Sequence, residues 1–165
     1  MKKVIICTTS ILAALLVLVM LASAQTAMAD PTQEMNARFS KALGVSSDKI
    51  ALHYYLVKNG GVIELASKDP KDTGTIEAIR KYLQSQKDLW EKGKDPVTEV
   101  HPKAPESANL MRKLRNDITF YAAKTDTGAV LRMFSINEQA RDAIQDYLKF
   151  EITEHKTGDS PTIDQ

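Results

Sequence analysis

Three histidines, His53, His101 and His155, and one methionine, Met111, are the side chains of this chain best suited to hold a metal ion. Imidazole nitrogen combined with thioether sulfur is a donor set that suits copper. None of the histidines shows the i,i+4 or His-x-His spacing of a preformed ligand pair, so only the fold could bring the four together. His53 lies in an alternating apolar run, His101 precedes Pro102 in a proline-rich stretch, and His155 ends a helical stretch. Each has a plainer reading. His101 reads as a solvated loop residue, and a charged His155 simply favours the helix C-terminus. His53 faces away from the main apolar stripe and could meet His101 or Met111 if the proline-rich stretch folds over it. Tyr55 and Tyr121 share that outward position, where aromatic rings line a ligand pocket or an interface. Catalysis has less support. The chain has no G-x-S-x-G, no Walker sequence and no G-x-G-x-x-G, and Asp69/Asp72 and Asp142/Asp146 read as solvated acids.

The elements that must position these groups follow from periodicity. Residues 32–43 place Met35, Phe39, Ala42 and Leu43 at helical spacing, and Gly44 stops the helix. Ile50, Leu52, Tyr54 and Leu56 then alternate with Ala51, His53, Tyr55 and Val57; Asn59-Gly60-Gly61 turns the chain, and 62–67 returns. Residues 75–90 read as a helix with Ile76, Ile79 and Leu83 on one face. Residues 91–106 carry three prolines without periodicity and read as a crossover loop, followed by a short helix over 107–114. The pattern then recurs. Ile118, Phe120 and Ala122 alternate with Thr119, Tyr121 and Ala123, a turn spans 125–128, and 129–135 returns. Ser135 with Glu138 offers a capping box for a helix over about 137–154, whose inner stripe holds Ala140, Ile144, Tyr147, Leu148 and Glu151 or Ile152.

Strand, turn, strand, helix thus appears twice, and Ala78-Ile79-Arg80-Lys81-Tyr82-Leu83 echoes Ala143-Ile144-Gln145-Asp146-Tyr147-Leu148. Neither hairpin can bury its apolar face alone. The expected fold is α+β: a four-stranded antiparallel sheet from two ββα repeats, both long helices on one face, with short N-terminal and crossover helices. Repeat one spans about 50–91, the crossover 92–115, repeat two about 116–155, and a polar, frayed tail 156–165, with Gly158 as the last helix's stop. The other sheet face is left for the N-terminal helix, the crossover, a second subunit or a ligand.

Several stretches resemble a group of exported bacterial proteins of unknown function. They are Ala143-Ile144-Gln145-Asp146-Tyr147-Leu148-Lys149-Phe150-Glu151-Ile152, Glu154-His155-Lys156-Thr157-Gly158-Asp159, and segments 60–65, 78–83 and 101–118. Some of that group carry an aspartate carbamoyltransferase label. A true carbamoyltransferase resembles a larger two-domain α/β enzyme with a Ser-Thr-Arg-Thr phosphate-binding segment, which this chain lacks. The group often shows His where this chain has Tyr82 and Gln145. If those histidines hold a metal or haem in the group, this chain has lost part of that site, and His53, His101, Met111 and His155 are the candidates that remain.

Composition fixes the setting. The chain has 165 residues, with 22 Lys+Arg against 21 Asp+Glu, which excludes a strongly basic nucleic-acid binder and an acidic disordered tail. Residues 1–29 hold Lys2, Lys3, the sole Cys7 and no acid, with an apolar run through 11–21. Small-x-small triplets end at Ala24 and Ala29, so a signal peptide cut after Ala29, or after Ala24, is expected; an uncleaved membrane anchor is the alternative. The remainder, 30–165, is a single domain without cysteine, so neither disulfide nor thiol chemistry supports it. The expectation is a periplasmic binding module for a metal or small ligand on the open sheet face. The alternative is a non-catalytic structural or interaction module, such as a homodimer.

Overall fold

The computed structural model describes residues 30–163, and the expected signal segment lies outside them. The order is helix α1 (Pro31–Leu43), strands β1 (Ile50–Val57) and β2 (Gly60–Ser67), helix α2 (Thr73–Glu91), short helix α3 (Glu106–Lys113), strands β3 (Thr119–Lys124) and β4 (Gly128–Phe134), and helix α4 (Glu138–His155). The four strands form one antiparallel sheet in the order β1-β2-β4-β3. Two hairpins, each followed by a helix, thus merge their second strands at the centre, as the repeated pattern implies.

Alternation decides which face is buried. Leu52, Tyr54 and Leu56 of β1 pair with Leu65, Ile63 and Gly61 of β2. Ile63 and Leu65 pair with Leu131 and Ala129 of β4, and Phe120 of β3 with Met133. These rows face the helices and are buried, apart from the half-buried Leu52. α2 covers β4 and β3 with Ile76, Ile79, Leu83 and Trp90, and Trp90 stacks on Phe120 with ring centroids 6.1 Å apart. α4 covers β1 and β2 with Ile144, Leu148 and Ile152. Each hairpin is therefore covered mainly by the helix that follows the other hairpin.

Two glycines set the central strand contact. A Cβ at Gly60 would lie 2.1 Å from the Met133 carbonyl oxygen, and one at Gly128 would lie 2.0 Å from that of Leu65. Gly60 also has φ +151°, which side chains with a Cβ rarely adopt. The first turn is accordingly Lys58-Asn59, with Gly60 and Gly61 inside β2.

The helix ends differ from the sequence reading. The capping box does not form. Ser135 Oγ instead donates to the Asp117 carbonyl at 2.6 Å and accepts from Asn137 N–H at 3.0 Å. Asn137 caps α4 by accepting from Ala140 N–H at 3.2 Å. α4 stops at Lys156, which takes the left-handed conformation with φ 52°, ahead of Gly158. Nor is the tail frayed throughout. Asp159 accepts from Tyr54 N–H and from His53 Nδ1–H, both at 2.9 Å, and so caps the outer edge of β1.

Both long helices lie on one face, and α1 and the crossover join them there. Arg38 of α1 donates to the Val100 carbonyl at 2.7 Å, while Val97, Val100 and Ala104 of the crossover are buried in the common core. The apolar side chains of the crossover, unsupported by a strand or long helix of their own, are driven onto α4 rather than across the sheet. The opposite sheet face is left open. No helix among the described residues is long and apolar enough to cross a membrane.

Candidate metal centre

Four groups from three parts of the chain converge under the helix layer. β1 supplies Tyr54, the crossover His101, and α4 Glu151 and His155. Glu151 and His155 stand one turn apart on the inner face of α4, so their side chains are neighbours. His101 Nε2 and His155 Nε2 each lie 3.2 Å from Glu151 Oε2, and the Tyr54 hydroxyl donates to the same oxygen at 3.1 Å. His101 is only 2% exposed, and Glu151 is buried. Aromatic contacts hold both imidazoles in place. Phe150 lies 5.1 Å from His101 and Phe39 5.4 Å from His155, centroid to centroid, and the imidazoles meet edge to face at 5.2 Å.

The electrostatics follow from burial. Desolvation alone would raise the Glu151 carboxyl, but hydrogen bonding and charge from His101 and His155 outweigh it and bring it down to about 2. Glu151 is thus a carboxylate at neutral pH. Burial, then the Glu151 charge, pushes the Tyr54 and Tyr147 hydroxyls well above their ordinary range, so both keep their protons. Burial likewise raises Tyr82.

A cavity of about 30 Å³ adjoins this cluster, lined among others by Tyr54, Tyr82, Tyr147, His101, Glu151 and His155. That volume is enough for one water molecule or one ion. Two imidazole nitrogens and a carboxylate oxygen lie within 4.8 Å of one another. The 3.2 Å nitrogen–oxygen spacings match the edge of a coordination tetrahedron with bonds of about 2 Å. One carboxylate oxygen offers two lone pairs. Three donor groups crowd Glu151 Oε2, and a cation shared between the two nitrogens and that oxygen would relieve this. One feature weakens the site: His101 Nδ1 is buried without a hydrogen-bond partner. A metal on Nε2 would place the proton on Nδ1, where ligating histidines normally find an acceptor.

The expected metal set therefore divides. His101 and His155 come together, joined by Glu151 and Tyr54. His53 points to the open face, on the other side of the sheet, and cannot meet His101. Met111 is fully buried in the apolar core and does not line the cavity, so the thioether is absent from the donor set there. The reading of His101 as a solvated loop residue is overturned, because the crossover packs inward. Tyr55 and Tyr121 do share the open face, in one row with Val62 and Arg132, but they stand on opposite outer strands. Three strand spacings, about 14 Å, separate them across the face. Glu151 is invisible to histidine spacing; its local signal is Glu-x-x-x-His on the apolar stripe of a helix.

His53 pairs instead with Asp159, and its side chain is 44% exposed. Partial burial would raise the Asp159 carboxyl, but the His53 hydrogen bond prevails and lowers it. His53→Ala should cost only about 0.5–1 kcal/mol in urea unfolding, as for other solvent-screened pairs. A loss above roughly 2 kcal/mol would show that the tail contact is part of the core.

No protein-family model matches the chain, and neither a curated protein nor a solved structure does so.

Proposed function

We propose that this chain is an exported, non-catalytic binding module that holds one divalent first-row metal ion at His101, Glu151 and His155. The convergence of three donors on one buried carboxylate oxygen, beside an ion-sized cavity, carries the reading. Two imidazoles with a carboxylate suit zinc or copper(II), whereas the copper reading based on a thioether lost its sulfur. Tyr54 holds the carboxylate in its rotamer as a neutral hydrogen-bond donor. The sequence of residues 1–29 and the resemblance to exported bacterial proteins support a periplasmic setting.

The test is calorimetric titration of chelator-stripped protein with zinc and with copper(II). One ion should bind per chain. His101→Gln and His155→Gln should each weaken binding by at least about ten-fold, while His53→Ala and Met111→Leu should leave it unchanged. The unpartnered His101 Nδ1 should hold the affinity one to two orders of magnitude below that of a site with complete outer hydrogen bonds. Binding no tighter than about 1 mM, or indifference to the histidine variants, would overturn the proposal.

A further inference from the structure

The open face of the sheet has its own charge pattern. At its centre stand Val62 and Glu64 of β2 and Val130 and Arg132 of β4. The register sets Val62 beside Arg132 and Glu64 beside Val130. The two charges therefore occupy one diagonal of a rectangle, about 4.8 Å across the strands by about 6.8 Å along them, and the two valines the other. Arg132 is exposed and has no ion-pair partner among the described residues. Toward β3 the face carries large apolar side chains in solvent, with Tyr121 55% and Phe134 37% exposed.

We propose that this face is the docking surface for a second copy of the same chain, sheet against sheet, with the strands crossing steeply, at about 70°. The diagonal dictates both occupant and angle. If the mate stacked with its strands aligned, each charge would lie over a valine and meet no opposite charge across the interface, which is costly. If the mate is turned about the Val62–Val130 diagonal, Glu64 lies over Arg132 of the partner subunit and Arg132 over Glu64 of the partner subunit. The valines then meet their own counterparts at the centre. This is the reciprocity an isologous two-fold interface requires, where residue i meets j and j meets i. The aromatic side chains toward β3 extend the contact outward, as aromatic residues commonly do at interfaces. The metal centre lies under the other face, so dimerisation and ion binding are independent.

Sedimentation equilibrium of the purified protein from about 1 to 100 µM should show a concentration-dependent dimer. Glu64→Arg or Arg132→Glu alone should weaken it by roughly ten-fold or more, because like charges then face each other. The double reversal, Glu64→Arg with Arg132→Glu, should restore the dimer to within about three-fold of the parent. Native circular dichroism verifies the fold, and Glu64→Gln and Arg132→Gln provide the same comparison with milder changes. A monomer throughout the range would overturn the proposal. So would a dimer indifferent to the single reversals, or one that the double reversal fails to restore.

Discussion

Glu151→Ala should destabilise the protein by about 3–5 kcal/mol in urea unfolding at neutral pH. The loss exceeds that of an ordinary surface acid because three groups lose their acceptor together. His101 Nε2, His155 Nε2 and the Tyr54 hydroxyl all aim at one oxygen. Glu151→Gln keeps an acceptor oxygen and should cost less. The same carboxylate predicts an acid limb. Its pKa is about 2 in the folded protein against an ordinary value of 4.5. Its contribution to stability is therefore complete above about pH 4.5, where both states are ionised, and declines as pH falls toward 2, because the unfolded chain takes up the proton first. Urea midpoints measured down that range should fall in the parent and flatten in Glu151→Gln. A Glu151→Ala loss below about 1 kcal/mol would mean that the cluster is solvated.

Gly60→Ala should be nearly as damaging, at roughly 3 kcal/mol or more. The added methyl would need to occupy space 2.1 Å from the Met133 carbonyl oxygen, a backbone atom that cannot rotate away. The φ of +151° adds strain of its own. Because Gly60 pairs with both Val57 and Phe134, relief on one side spoils the register on the other. Thermal unfolding followed by circular dichroism measures the loss. A change within about 0.5 kcal/mol of the parent would show that β2 and β4 are not so closely joined.

How far the sequence speaks depends on what each feature needs. The two hairpins and long helices were legible because alternation and 3.6-residue periodicity are local signals, as in Leu52-Tyr54-Leu56 and Ile76-Ile79-Leu83. The one-sided helix layer followed from those stripes. The centre was only half legible. His155 and Glu151 sit on a readable helix, yet a glutamate on an apolar stripe reads first as one position of that stripe. His101 reads as solvated in the sequence because a loop histidine is buried only through tertiary packing. Its hint was the apolar Val97 and Val100 just before it, out of place in a solvated loop. The tail contact of Asp159 joins residues more than a hundred apart, and no local pattern announces it.

Because the long helices trade hairpins, the Leu52–Leu65 strip of the first half awaits a cover that is synthesised last. A chain emerging from the ribosome cannot complete its first half until residues near 150 are out, so its folding rests on distant contacts and is expected to be slow. That delay would suit the proposed export, since a polypeptide still lacking its final helix remains loose enough to be threaded through a translocation pore.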